Sequence, residues 1–337
     1  MRTLLLFTGL MMIASTAFAQ TAPRSTPAGA DFLTAVSFAQ HFATPAALTA
    51  GNDRQLKTTI LNALNEKEPA LTFDEISGIF DKQEFAKFAG AAEKVTVRQM
   101  KQLLETEAPP SRRELFPPVG AHADLLSTQL DMIDAGHQRA ADELAGWIAK
   151  NHSADKPLGV SVICTGNSRR SVMGAVMGNV AAAYWGLPNV KFHSGGTAPS
   201  AFNSRTIKAL QAIGVEVTAT GQEAPSGKAG DLNPIYQVKW GKNLLVEEFS
   251  KLYAHEQNPQ QDFAAILVCD EADEACPTVE GASIRIAAPY FDPKAYDGTP
   301  LEAAKYAERR DDIGRMMLSA LMQARRLKSA SGTKTTP

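Results

Sequence analysis

The chain has 337 residues, with 34 basic against 36 acidic side chains and a formal net charge of −2. Charge this evenly balanced offers no general attraction for nucleic acid or an anionic membrane, and an apolar share of 44% suits a globular core. Three cysteines, Cys164, Cys269 and Cys276, are too few for a scaffold built on disulfides.

Residues 1–19 read as a secretory signal peptide. Met1 and Arg2 precede one apolar stretch from Leu4 to Ala17, and Ala17-Phe18-Ala19 offers a cleavage site before Gln20. That stretch is shorter than the roughly 20 residues a spanning helix needs, and no later segment is long and apolar enough to cross a membrane. The expectation is a periplasmic or secreted protein with a mature start near Gln20 and no membrane attachment after cleavage. In an oxidising compartment one bridge and one free thiol is the natural count for three cysteines, with Cys164 as the free one.

Residues 20–30, rich in Thr, Pro, Ser and Gly, read as a flexible linker. Residues 31–107 read as an all-helical region, from the spacing of Leu56, Ile60, Leu61 and Leu64 and of Ile76, Ile79 and Phe80. Thr72 with Glu75 has capping-box spacing there. Pro109, Pro110, Pro117 and Pro118 make 108–120 the best candidate for a linker. A domain over 121–328 follows, and 329–337 reads as a disordered tail. Leu125 to Asn151 reads as one amphipathic helix, with Leu126, Leu130, Ile133, Leu144, Trp147 and Ile148 on its buried face.

From Pro157 strand-like and helical segments alternate, the pattern of an α/β fold with a small parallel sheet and helices on both faces. Val160 to Ile163, Val190 to His193 and Phe263 to Val268 are strands, and Val215 to Val217 is a short one. Ser171 to Trp185, Ser204 to Ile213 and Leu301 to Leu327 are helices. The stretch near 220–261 reads as an irregular insertion, with Tyr236 to Trp240 as one strand of a hairpin.

Chemistry concentrates between the first strand and the first of those helices, where the sequence is Cys164-Thr165-Gly166-Asn167-Ser168-Arg169-Arg170-Ser171. Unpaired N–H groups at a helix start bind tetrahedral anions and favour negative charge on a cysteine beside them. Gly166 lets the backbone approach an anion, and Asn167 tolerates left-handed geometry while its amide ties down the loop. Arg170 has the planar fork for bidentate contact with phosphate or arsenate, and Ser171 can donate to the thiolate. Arg169 is expected to point into solvent. The six histidines form no metal-ligand spacing, so no metal or other cofactor is expected.

This loop resembles that of the low-molecular-weight protein tyrosine phosphatase family and its relatives, the thioredoxin-coupled arsenate reductases. The resemblance covers roughly Pro157 to Leu327 and continues through Ser194-Gly195-Gly196-Thr197, Asn203-Ser204-Arg205 and Asp292-Pro293. It implies the phosphotyrosine phosphatase I-like fold and a phosphomonoesterase in which Cys164 is the nucleophile, Arg170 the phosphate clamp and Asp292 the general acid. Thr165, Gly166, Asn167, Ser168, Arg169 and Ser171 would form the phosphate-binding loop. The implied substrate is a phosphorylated small molecule or phosphoprotein, with Tyr290, Phe291 and Tyr296 placed to wall an aromatic pocket.

The segment from Cys269 to Cys276-Pro277 resembles the redox segment of the reductases, which implies an arsenate relay through Cys164, Cys269 and Cys276 and an external thiol reductant. On an intact helix, residues seven apart are separated by about 10.5 Å of rise, beyond the roughly 7 Å reach of a disulfide between Cα atoms. A Cys269–Cys276 bridge thus needs a looped segment, which suits a relay or a structural disulfide equally. Export favours hydrolysis, which consumes no reductant.

Overall fold

The computed structural model describes residues 70–73, 85–86, 89, 92–96, 98–100, 109–127 and 129–332, except 227–229 and 276–277. The chain divides into two compact units, one of residues 1–38 and 60–100, the other of 39–59 and 101–337. The expected signal peptide at 1–19, Leu56 to Leu64, Cys276 and residues 333–337 lie outside the described residues.

In the first unit Leu71–Thr72 pairs antiparallel with Lys94–Val95. Leu71, Val95 and Met100 are fully buried, and Phe73 meets Phe85 edge-on at 5.5 Å. The all-helical expectation for 31–107 therefore fails at this pair. Strands of two residues are too short to show the alternation by which a strand is recognised in sequence.

The second unit is mixed α/β, built on a four-stranded parallel sheet flanked by helices. In chain order its elements are α1 (Pro110–Glu114), α2 (Pro117–Ser127), α3 (Ala135–Asn151), β1 (Leu158–Cys164), α4 (Arg170–Tyr184), β2 (Val190–Gly196) and α5 (Ser204–Gln211). They continue with β3 (Glu216–Glu223), β4 (Pro234–Lys239), β5 (Leu245–Glu248), β6 (Phe263–Leu267), α6 (Asp270–Ala275), β7 (Ala282–Ala287) and α7 (Glu302–Gly332).

The parallel sheet has the order β2-β1-β6-β7. Its register sets Cys164 against Gly196 and Ile163 against Leu267, so the carboxyl ends of β2, β1 and β6 lie side by side. Chain order reverses between β1 and β6, and the crevice above such a switch point is where open α/β sheets bind ligands. The residues of β1 are apolar apart from Ser161 and nearly all buried, as a parallel strand covered on both faces requires.

Every residue of α4 is buried. Its glycines explain how it fits: a Cβ on Gly178 would stand 2.4 Å from the Phe192 ring of β2, and one on Gly174 would stand 2.7 Å from Val162 of β1. Behind α4 runs α7, and Trp147 of α3 ties that helix to β7 by donating to Ser283 Oγ at 2.9 Å.

Four expectations need correction. In the stretch expected as a linker, 108–120, the described residues 109–120 are packed structure: Pro110 and Pro117 each open a helix, where a missing N–H costs nothing, Val119 is fully buried, and Ser111 Oγ donates to Ala183 O at 2.8 Å. The single helix over 125–151 is two helices joined by a 3-10 turn at Leu130–Met132, because Asp134 caps α3 by accepting from the N–H groups of Gly136 and His137. The expected buried residues still reach the core, apart from Ile133, which is half-buried. The insertion near 220–261 is not irregular: β3, β4 and β5 form an antiparallel sheet around buried Val238. Finally α7 runs to Gly332, four residues into the expected tail at 329–337.

Candidate functional site

Cys164 ends β1 and Arg170 begins α4, so the chain between them turns over the sheet's carboxyl edge. The loop's carbonyls face outward. Cys164 O accepts from Thr197 N at 3.1 Å, Thr165 O from Ala198 N at 2.9 Å and Gly166 O from Ser200 N at 3.0 Å, while Ser168 O accepts from Asn203 N at 3.2 Å. With its carbonyls held that way, the loop turns its N–H groups inward. Among the described residues, none of the backbone amides from Thr165 to Val172 donates to another protein group. Such a nest of free donors, continuous with a helix start, has the geometry and partial charge to receive a tetrahedral oxyanion.

Asn167 makes this curvature possible. Its φ is 42°, left-handed, and its fully buried side chain acts as a hub. Oδ1 accepts from Lys251 N at 2.8 Å, while Nδ2 donates to Ser194 Oγ at 2.6 Å and to Ser171 Oγ at 3.0 Å. Ser171 Oγ lies 3.1 Å from Cys164 Sγ, the contact expected of a hydroxyl that donates to a thiolate. Ser168 Oγ donates outward to Ala201 O at 2.5 Å, and Gly166 O also accepts from Ser250 Oγ at 3.0 Å.

The Arg170 side chain is buried and lies across the loop's mouth. Nη1 donates to Tyr290 O at 2.7 Å and Nη2 to Asp292 Oδ2 at 2.8 Å, with Glu271 Oε2 at 3.9 Å. Its Nε is buried with no hydrogen-bond partner among the described residues. Asp292 also caps the 3-10 turn Pro293–Tyr296, accepting from Lys294 N at 2.9 Å. The structure thus brings together Cys164, Asn167 and Ser171 on one side and Arg170 and Asp292 on the other, although 122 positions separate Arg170 from Asp292.

Arg169 is not solvated as expected. Its Nε donates to Tyr306 Oη at 2.8 Å, its Nη2 lies 3.7 Å from Asp297, and its side chain is 17% exposed. Burial, helped by the hydrogen bond to Asp297, pushes the Tyr306 phenol up to about 12, so it remains a neutral donor and acceptor between the two.

Cys164 and Cys269 are both free and buried. Cys269 follows β6 beside the loop, with its Sγ 3.5 Å from Thr165 Oγ1. Burial pushes its thiol up, and the nearby Cys164 sulfur adds to that, against the pull of Thr165, the Ala272 N–H and Arg170. Asp270–Ala275 is helical, and Cys276 lies outside the described residues. Of the aromatics, Tyr290 is buried, stacks on His137 at 3.9 Å and lines a cavity with Asp134, Arg309 and Arg315. Phe291 is 62% exposed and meets Tyr296 edge-on at 6.4 Å.

The residues missed from sequence are Ser250, Lys251 and Glu248, which reach the loop from the end of the antiparallel sheet. The bonds from Ser250 and Lys251 cross 84 positions of chain, and no local pattern marks them. Comparison with known proteins assigns no family: no protein-family model matches this chain, and no curated protein matches it significantly.

Proposed function

We propose that this chain is an exported, cysteine-dependent phosphomonoesterase of the kind its sequence resembles, the low-molecular-weight protein tyrosine phosphatases. The observation that carries this reading is the ring of free amides from Thr165 to Val172 around Cys164, closed by the Arg170 guanidinium with Asp292 2.8 Å from it. A phosphoryl group seated in the ring has its equatorial oxygens against donors fixed before the reaction, which is the cheapest way to stabilise charge developing there. Its phosphate competes with Asp292 for Arg170 Nη2, and the unpartnered Nε adds a second donor for bidentate contact.

The sulfur of Cys164 attacks phosphorus while the P–O ester bond breaks, and Asp292 gives its proton to the departing oxygen. Water then attacks the phosphocysteine, giving its proton back to Asp292, and inorganic phosphate leaves with Cys164 regenerated. Ser171 holds the sulfur's negative charge at the start and end of the cycle. The exposed Phe291 and the half-buried Tyr296 flank Asp292 and suit an aromatic leaving group such as a phosphotyrosine side chain or a small aryl phosphate.

One observation favours a second reading, arsenate reduction: the Cys269 thiol lies against the loop through Thr165. Reducing arsenate to arsenite takes two electrons, which two of the thiols Cys164, Cys269 and Cys276 supply by forming a disulfide that an external thiol donor must reopen. The buried Cys269 thiol is held in its protonated, less nucleophilic form, which favours hydrolysis.

The deciding experiment assays mature protein with p-nitrophenyl phosphate without reductant, then with arsenate and thioredoxin, beside Cys164→Ser and Cys269→Ser. Hydrolysis abolished by Cys164→Ser and retained by Cys269→Ser is the expected result. Arsenite formation that needs both cysteines transfers the chain to the reductases, and silence in both assays refutes the enzymatic reading.

A further inference from the structure

Two adjacent arginines grip the segment that carries Asp292 from opposite ends. At the near end Arg170 Nη1 holds the Tyr290 carbonyl. At the far end stands Asp297, which closes the 3-10 turn Pro293–Tyr296 by donating its N–H to Lys294 O at 3.0 Å. A guanidinium only donates, so Tyr306 Oη accepts from Arg169 Nε at 2.8 Å and gives its own proton to Asp297 Oδ1, also at 2.8 Å. Arg169 Nη2 completes the triangle 3.7 Å from Asp297 Oδ2, with Asp292 Oδ1 farther off at 4.0 Å. Tyr306 is 1% exposed, so the triangle is backed by the core face of α7.

The same turn is fastened elsewhere as well. Arg205 of α5 approaches Asp297 Oδ1 at 3.5 Å, and Glu302 of α7 accepts from Gly298 N at 2.6 Å. Those contacts tie the turn to helices α5 and α7. Arg169 ties it to the oxyanion loop itself, because it is the residue that caps the start of α4.

The reaction needs that second grip. In the free protein Arg170 Nη2 holds Asp292 at 2.8 Å, but a phosphoryl group seated in the loop takes this donor. Asp292 then keeps its place only through its neighbours in the chain. One hydrogen bond at Tyr290 is a pivot about which the segment can swing, and an anchor at Asp297 fixes its direction. Pro293, with its locked φ, and the tight 3-10 turn make the link from Asp292 to Asp297 short and stiff.

We propose that Arg169 and Tyr306 are positioning residues: with Asp297 they form a strut that holds Asp292 over the departing oxygen once phosphate has taken Arg170. The chemistry of this proposal rests on the phosphatase reading, while the strut is measurable without a substrate.

The test compares kcat/KM for phenyl phosphate and p-nitrophenyl phosphate. Phenolate is a poor leaving group that needs the Asp292 proton, whereas p-nitrophenolate leaves with little help. Arg169→Met keeps the length of the side chain and removes its donors. Loss of its charge near the phosphate affects both esters alike, so the ratio of the two values carries the answer. That ratio, phenyl over p-nitrophenyl, should fall about ten-fold, the effect of losing one hydrogen bond to a charged group. Tyr306→Phe removes one oxygen and should shift the ratio the same way. The two together should do little more than either alone, because both break one strut. In an Asp292→Asn background neither should change the ratio further.

Hydrogen–deuterium exchange read by mass spectrometry supplies the substrate-free measurement. The amides of Lys294 to Thr299 should exchange about ten-fold faster in Arg169→Met, as a local opening released by one such bond requires, with the rest of α7 unchanged. An unchanged ratio, a shift that persists in the Asp292→Asn background, or unchanged exchange of Lys294 to Thr299 each overturns the proposal. If the wild type hydrolyses neither ester the phosphatase reading fails; faster exchange then sustains the strut, and unchanged exchange refutes it. Should Arg169→Met not fold, Tyr306→Phe decides by both measurements.

Discussion

Replacing Asn167 tests how much of the loop's shape is held by one side chain. Asn167→Gly keeps the left-handed φ of 42° and removes the three side-chain hydrogen bonds at 2.6, 2.8 and 3.0 Å. At about 1 kcal/mol per bond the loss is about 3 kcal/mol, and the buried N–H of Lys251, left without an acceptor, adds about 1 kcal/mol or more. Asn167→Ala makes the same losses and adds about 1–2 kcal/mol for a Cβ at positive φ. That is partly offset by the roughly 0.7 kcal/mol that glycine costs through its freer unfolded chain. The expected order is wild type, then Gly about 4 kcal/mol lower, then Ala up to about 1 kcal/mol lower still.

The assay is urea unfolding followed by tryptophan fluorescence. All three tryptophans, Trp147, Trp185 and Trp240, lie in the unit that contains the loop, so the signal reports on that unit. Variants that retain the wild-type m-value and lie within about 1 kcal/mol of it would refute the hub role. An alanine variant clearly more stable than the glycine variant would refute the left-handed backbone.

Two glycines should respond with opposite signs to alanine. Gly178→Ala drives a Cβ into the buried Phe192 ring and should cost about 1–2 kcal/mol net, overpacking set against the helix-propensity gain. Gly146→Ala on the exposed side of α3 meets nothing within 4 Å and should gain up to about 1 kcal/mol; thermal unfolding compares the two. Burial, with the Lys251 cation and then Lys191, holds His193 below the usual imidazole range, against the opposing pull of Glu248 and of its hydrogen bond with the Gln257 backbone. A depressed histidine stays neutral in the folded protein while the unfolded chain takes its proton near pH ~6.5, so its contribution is full above that value and lost as pH falls. His193→Gln should therefore flatten the decline in stability between about pH 7 and pH 5, and an unchanged slope would show that His193 is not the group responsible.

The Cys164–Ser171 loop was legible in the sequence because its ingredients are contiguous: an apolar strand, a cysteine, small and amide residues, an arginine and a small-residue helix. Strands β1 and β6 were legible for a related reason, since a strand buried in a parallel sheet is a nearly unbroken apolar run, and β2 showed itself by the alternation of Val190 and Phe192 with Lys191 and His193. Prolines misled at 108–120, because the same residue that breaks a helix interior also suits a helix start, and only packing against Ala183 and Gly214 distinguishes the two. Beyond the strands expected at Val215 to Val217 and Tyr236 to Trp240, the β3-β4-β5 sheet was missed because its residues are mostly exposed, with Val217, Val238 and Glu248 its only buried positions, which leaves little hydrophobic alternation to read.

By itself the sequence determined which side chains gather in the loop from Cys164 to Ser171 and on which kind of turn they sit, since both depend on neighbours a few positions away. Only the tertiary structure decided the rest: that Asp292 and the Tyr290 carbonyl meet Arg170, that Arg169 turns to Tyr306 and Asp297 rather than to water, and that Glu248 and Lys251 stand behind Asn167. Those pairings span from 84 to 137 positions along the chain, apart from the Ser194–Glu248 contact at 54. They are fixed by the register of the parallel strands and by where each connection returns to the sheet edge, and no residue's local preferences encode that.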